Sequence, residues 1–306
     1  MIARFIFLHL KILRSVRRKS DRKGGKLDQA AERRRERARL FWEPPGPFPP
    51  GLPDLVLPEA ESLDALCGHW RIFQLKKGHR YSTDDLLGAW FTCDLLEKRI
   101  EKLNFLEMGC GTGSIGMMVA WRFPAAHWTG VELQKVSVGL ARKSLLYNGL
   151  SERGTILEGD LKELDLGTFE LIIGSPPYWD TRSGILSNFP QKAPCRFEET
   201  GSIEDYCEAA ERHLAPLGIL TLVFDGRQVE RAEKAAHSAG LKVFRKREVV
   251  SREKDRPLIV LLGLSRADEA GPLVEAPALL LRDAAGLRSE EFRAIRREMG
   301  FPPGIR

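Results

Sequence analysis

The sequence predicts an α/β fold: a mostly parallel sheet with helices on both faces. Three observations carry that expectation. From about residue 85, short apolar runs of strand length alternate with runs of helix length. A glycine-rich turn, "GCGTGSIG" at 109–116, follows the first apolar run directly. The acids Glu107, Glu132 and Asp160 fall at or beside the ends of three successive expected strands.

The elements follow in order. Residues 85–100, "DLLGAWFTCDLLEKRI", read as a helix, and 103–108, "LNFLEM", as a short buried strand. After the glycine turn a helix runs through "MMVAWRF", and Pro124 punctuates it. "HWTGVE" (127–132) is the second strand, and the next helix, over 135–149, ends at Gly149. "GTILEGD" (154–160) and "FELIIG" (169–174) are the third and fourth strands. A helix at 203–214, a strand at 218–224, a helix at 227–239, and strands at 241–250 and 257–264 complete the body, without internal repeats.

Charge divides the chain in two. The net charge is +6, yet residues 1–43 hold 14 Lys and Arg against 5 Asp and Glu, a balance of +9 that leaves −3 for the rest. With the proline-rich "PPGPFPPGLP" at 44–53, residues 1–58 read as a basic, disordered extension and 59–306 as the folded domain. The first twenty residues have the style of a transit peptide or of a helix lying on an anionic membrane, and an arm grasping nucleic acid is the alternative. The apolar piece at 5–10 is too short to span a bilayer, so no stable membrane insertion is expected. Five cysteines, Cys67, Cys93, Cys110, Cys195 and Cys207, form no CxxC pair. That pattern fits a reducing compartment, the cytoplasm, and argues against a zinc knuckle or disulfide framework, so no metal is expected.

Open parallel sheets bind ligands at the carboxyl ends of their strands, near the point where strand order reverses. There the turn Gly109-Cys110-Gly111-Thr112-Gly113 lets backbone approach a ligand where a side chain would collide. Read alone, Gly111 to Gly116 also satisfies G-x-G-x-x-G and admits a dinucleotide enzyme. The acids tilt the choice. Glu107 can attract a cationic ligand end, Glu132 can hold ribose hydroxyls, and Asp160 can accept from an adenine amino group. Together they suit S-adenosyl-L-methionine.

The fourth strand runs into "SPPYWD". Ser175 and Pro176 each precede a proline, which holds both extended, and the prolines lack N–H groups. Ser175, Pro176, Pro177 and Tyr178 thus form a stiff strip of acceptors with few donors. Such a strip suits an exocyclic –NH2 group: hydrogen bonds from both N–H groups free its lone pair, and the Tyr178 ring offers a face for a flat base.

The combination of "LEMGCGTGS" and "IIGSPPYW" resembles class I S-adenosylmethionine-dependent methyltransferases of exocyclic amines, and more narrowly the bacterial tRNA(Val) adenine-N(6) methyltransferase family. "FQLKKGHRYSTDDLLGAW" (73–90), "RFEETGSIEDYCEAA" (196–210) and "LLLRDAAGLRSEEFRAI" (279–295) carry the likeness further. The resemblance implies a Rossmann-like seven-stranded sheet, mostly parallel, with an antiparallel last hairpin. It implies cofactor contacts at Glu107, Gly109, Gly111, Gly113, Glu132 and Asp160. Tyr81, Ser82 and Asp84 would close over the methionine end, and 175–178 would be catalytic. The implied substrate is the adenine beside a tRNA anticodon, rotated out of its stack.

The chain departs from that group in two places. It has Ser175 where the group normally has Asn, and Asp84-Asp85 where Asp-Gly is favoured. "SPPY" is also at home in cytosine-amine methyltransferases of DNA, so the base stays open. Methylation of a glutamine side-chain amide, as in release-factor enzymes, and a non-catalytic binding relative are the alternatives. Arg182, Lys192 and Arg196, with Arg288, Arg293, Arg296 and Arg297, are candidates for guiding RNA.

Overall fold

The computed structural model describes residues 42–96, 103–178 and 201–304. Contacts divide the chain into a unit of residues 1–43 with 305, nearly all outside the described range, and a compact unit covering Pro44–Gly304 with Arg306.

The compact unit is built on an eight-stranded sheet in the order β10-β8-β9-β7-β6-β3-β4-β5. Its strands are β3 (Asn104–Met108), β4 (His127–Glu132), β5 (Gly154–Glu158), β6 (Phe169–Gly174), β7 (Leu214–Asp225), β8 (Leu241–Val250), β9 (Ile259–Arg266) and β10 (Val274–Leu280). From β5 to β7 every neighbouring pair is parallel. β9 then runs antiparallel to both β7 and β8, which is the antiparallel hairpin the resemblance implies. The expected count of seven becomes eight, because β10 adds in parallel to β8 at the edge. Pro277 sits within β10 where the register shifts between Ala276 and Leu279, and an edge strand with a bulge tolerates the missing N–H.

Helices cover both faces. α1 (Thr83–Leu96), α2 (Ser114–Arg122), α3 (Lys135–Tyr147) and α6 (Glu290–Glu298) bury their apolar sides in one core, with Phe105 and Leu171 from the sheet. α4 (Ile203–His213) and α5 (Val229–Ser238) close the other, over Leu106, Met108 and Ile172. The alternation of Phe105 and Leu106 between the two cores is the period-2 pattern of a doubly covered strand. α4 starts on a capping box, Ser202 with Asp205, and α6 on Ser289, whose hydroxyl accepts from Phe292 N at 3.0 Å.

Two features add to the sequence reading. A hairpin of β1 (Glu61–Ala65) and β2 (Arg71–Leu75) precedes the first helix. It is fastened to α3 by Phe73 N donating to Ser144 Oγ and Arg71 N to Asn148 Oδ1, both at 3.0 Å. Residues 44–58, which the sequence analysis places in a disordered extension, belong to the compact unit. Phe48 stacks on His69 at 3.7 Å, and Gly51 N donates to Tyr147 O at 3.1 Å, so the prolines preset an extended strap rather than a loose linker.

The topology fixes where a ligand goes. From β3 the chain moves outward to β4 and β5, then crosses back to β6 on the other side of β3. The strand ends of β3 and β6 therefore flank the switch point.

Candidate active site

A cavity of about 500 Å3 opens at that switch point. The ends of β3, β4, β5 and β6 line it, with the segment 78–85 before α1 as a further wall.

The glycine turn follows from two left-handed backbone positions with different surroundings. Gly109 has φ +60°, and a Cβ there would run into the Tyr206 hydroxyl from α4. Gly111 has φ +55°, but a Cβ there would meet nothing within 4 Å; it would project into open space at the cavity. Gly113 ends the turn as the N-cap of α2.

The carboxyls sit at different depths. Glu132 is buried, and its Oε2 accepts from Gly111 N at 2.9 Å while Oε1 accepts from Gln134 N at 2.7 Å. Burial raises its carboxyl above the ordinary range. Glu107 lies beneath the turn, 3 % exposed, with Oε2 accepting from Gly116 N at 3.0 Å. Burial pushes its carboxyl well up as well. Its observed contact is thus to the first turn of α2, where the positive end of the helix favours a carboxylate. Asp160 is half-buried, and its Oδ1 accepts from Lys162 N at 2.9 Å.

The segment before α1 is tied from both sides. Tyr81 Oη donates to Ala65 O at 2.6 Å, and Tyr81 N donates to Gln74 Oε1 at 2.8 Å. Ser82 and Asp85 cap α1 reciprocally: Ser82 N donates to Asp85 Oδ2 at 2.8 Å, and Asp84 N donates to Ser82 Oγ at 3.2 Å. Asp85 also accepts from Ser114 Oγ, which joins the α1 cap to the glycine turn. The Asp that replaces the family's glycine therefore has a structural task. Asp84 points the other way, toward Tyr178 Oη at 3.4 Å. Burial, and then the neighbouring Asp85 charge, raise its carboxyl to about 6.

Ser175, Pro176, Pro177 and Tyr178 line the same cavity. The prolines are buried, whereas Ser175 and Tyr178 are half-buried. The Tyr178 ring meets Phe224 edge-on at 5.7 Å, and burial keeps its hydroxyl well above the usual phenol range, hence protonated. Gln228 Nε2 donates to Tyr178 O at 2.6 Å from the 3-10 turn Gly226–Gln228 after β7. Trp179, Arg182, Lys192, Cys195 and Arg196 lie outside the described residues.

All thirteen residues expected from sequence line this cavity except Gly113. Sequence reasoning missed Tyr206, whose ring lies under both Gly109 and Gly174, and Gln228. It also missed Asp85 and Ser114 as partners. Glycines facing one another across two strand ends were the available signal for a large side chain beneath them. Cys67, Cys93, Cys110 and Cys207 are buried, and burial raises the Cys110 thiol well above its usual range, which rules against a thiolate nucleophile there. Among the described residues, no group of three His, Cys, Asp or Glu could hold a metal, and no helix is long and apolar enough to cross a membrane.

A strand-switch cavity with a glycine turn on one side and a donor-poor proline loop on the other defines a class I methyltransferase, and comparisons agree. A family model described as methyltransferase small domain matches residues 87–255. The chain belongs to that family and is an S-adenosylmethionine-dependent methyltransferase. It is 30% identical over 220 residues to a Tolumonas auensis protein named tRNA1(Val) (adenine(37)-N6)-methyltransferase, covering 71% of this chain and 87% of that one. A Porphyromonas gingivalis protein of the same name is 29% identical over 223 residues, covering 70% and 85%. A crystal structure from Agrobacterium tumefaciens, described as a predicted O-methyltransferase, superposes with a TM-score of 0.54 at 19% identity, over 71% of this chain and 97% of that one, which shows the shared fold.

The residues present fit the cofactor. The open space over Gly111 admits a ligand against backbone, and Glu132 offers carboxylate oxygens at its edge.

Proposed function

We propose that this enzyme methylates the exocyclic N6 amine of an adenine in tRNA, the base beside the anticodon, in the cytoplasm. The reading rests on one observation: the strip Ser175–Tyr178 lines the same cavity as Glu132, Asp160 and the glycine turn. The names of the relatives above support tRNA as the substrate class.

When bound, S-adenosylmethionine supplies a methyl group on an electron-poor sulfur. Glu132 holds the ribose, oriented by the Gly111 and Gln134 amides, and Asp160 receives the adenine amino group. Tyr81, Ser82 and Asp84 would cover the methionine end, where an ionised Asp84 would attract the ammonium.

The chain's own part in the reaction is positioning. The Ser175 hydroxyl and a loop carbonyl accept the two N–H bonds of the incoming amine. Pro176 and Pro177 contribute no competing donor. The amine nitrogen's lone pair is thereby drawn out of conjugation, and these hydrogen bonds strengthen as the nitrogen becomes tetrahedral. The Tyr178 ring takes the base face, a contact worth about 1–3 kcal/mol. Extrusion of the base costs little in a single-stranded anticodon loop.

The test is incubation with labelled cofactor and total RNA, followed by digestion to nucleosides. Label in N6-methyladenosine is the expected result. Label in a methylated cytidine would move the base identity, as Ser175 in place of Asn would then explain. Label confined to protein would replace the reading by glutamine-amide methylation.

A further inference from the structure

The arginines on and just before α6 that were candidates for guiding RNA are already engaged. Arg293 and Arg297 pair with Glu290, the latter at 3.2 Å. Arg296 donates to Pro302 O at 2.9 Å and lies over the Phe292 and Phe301 rings, and Arg288 donates to Pro303 O at 3.2 Å. These contacts fasten the C-terminal segment to its own helix.

The cavity is acidic. Asp84, Asp85, Glu107, Glu132 and Asp160 all line it. A nucleotide arrives with phosphate, which a carboxyl-rich lining does nothing to attract, so cations at the rim are needed to meet the backbone charge. Among the described lining residues, Arg80 is the one Lys or Arg. Arg80 is held by Asp64 at 2.8 Å and by the Ser62 hydroxyl at 2.9 Å.

Just ahead, Lys76 and Lys77 are exposed, and neither has a side-chain partner among the described residues. Both precede Gly78, which itself lines the cavity, and two residues span no more than about 7 Å. The turn that carries them is fixed: Lys76 N donates to Ala60 O at 2.8 Å, and Gly78 N donates to Leu75 O at 3.2 Å. Two exposed ammoniums, without a partner among the described residues, are therefore presented on a hydrogen-bonded turn at the hairpin end, next in sequence to the pocket lining.

We propose that Lys76 and Lys77 form the phosphate-contacting rim of the site and engage the RNA backbone next to the extruded base. The proposal rests on the RNA reading given above. It turns the β1–β2 hairpin from an appendage into a substrate-binding element.

The test compares the full-length protein with K76A/K77A and K76R/K77R. A matched control, K234A/K242A, removes two exposed lysines from α5 and from the start of β8, at the far end of the sheet. Binding of bulk bacterial tRNA is titrated across salt concentrations, and S-adenosylhomocysteine affinity reports that the fold is intact. Each contact to single-stranded phosphate contributes about 0.7 to the slope of log K against log salt, so K76A/K77A should lower that slope by about 1.4 and weaken low-salt binding roughly tenfold or more. K76R/K77R should bind as the wild type does, and the control should not change. A K76A/K77A protein with intact S-adenosylhomocysteine affinity and an unchanged slope overturns the proposal, as does an equal loss in the control. If the wild type methylates tRNA while the slope is unchanged, the inference fails alone. If the wild type neither binds nor methylates tRNA, the functional reading fails with it.

Discussion

The two halves of the cavity are assembled differently. The half we assign to the cofactor, β3 to β5, is a backbone cradle held by side chains close in sequence: Glu132 holds the amide of Gly111, 21 residues away, and Glu107 holds that of Gly116, nine residues away. The substrate half, at the ends of β6 and β7, is pinned by side chains from distant elements. Asp84 meets Tyr178 across 94 residues of sequence, and Gln228 holds its carbonyl across 50. A backbone cradle accepts few substitutions at any of its positions. A loop propped by side chains can be loosened in small steps, one prop at a time.

The largest effect belongs to the cradle. Gly111→Val would force a β-branched residue to φ +55° and aim it into the ligand space, so cofactor affinity should fall roughly 100-fold or more in calorimetry. Unchanged affinity would mean that the cofactor lies elsewhere. Ser175→Ala comes next. It removes one preorganised partner of the amine, and kcat should drop on the order of 100-fold while cofactor affinity holds. A parallel loss of cofactor affinity would erase the division between the halves.

Asp84 bridges the two and makes the division pH-dependent. Its carboxyl, raised from 3.8 to about 6, is ionised only above that pH, so cofactor affinity should fall as pH drops through about 6. Asp84→Asn should leave affinity low and flat with pH. The sign for stability is opposite. A raised carboxyl favours the fold below its unfolded value, and that advantage is lost as pH rises through the folded one. Asp84→Asn should therefore raise Tm at pH 7.5, with the gain fading toward pH 4. A wild-type affinity profile without a step near 6 would remove Asp84 from the ammonium site. The smallest effect belongs to Gln228→Leu, which leaves the Tyr178 carbonyl without its donor. About 1 kcal/mol, or fivefold in kcat, is expected, with no change in cofactor affinity.

The same contrast explains what could be read in advance. The glycine turn and the proline loop are each complete within about ten residues, each acid is marked by the strand end it sits on, and all but Gly113 line one cavity. A closing strand is implied by the resemblance at 279–295, but the start of β10 at Val274 escaped because Pro277 argues against a strand until its edge position is known. The strap at 44–58 escaped because proline-rich composition reads alike whether or not a surface lies beside it; here Tyr147 and His69 supply that surface. Tyr206, Gln228 and the pairing of Asp85 with Ser114 escaped because nothing near them in sequence names their partners.

The central claim is that the elbow at 175–178 presents a tRNA adenine amine for methylation. Nucleoside mass spectrometry of tRNA from cells with and without the gene tests it most directly. The account predicts that N6-methyladenosine is lost without the gene and is restored by the wild-type sequence but not by Ser175→Ala. An unaltered tRNA nucleoside profile in cells lacking the gene would contradict it.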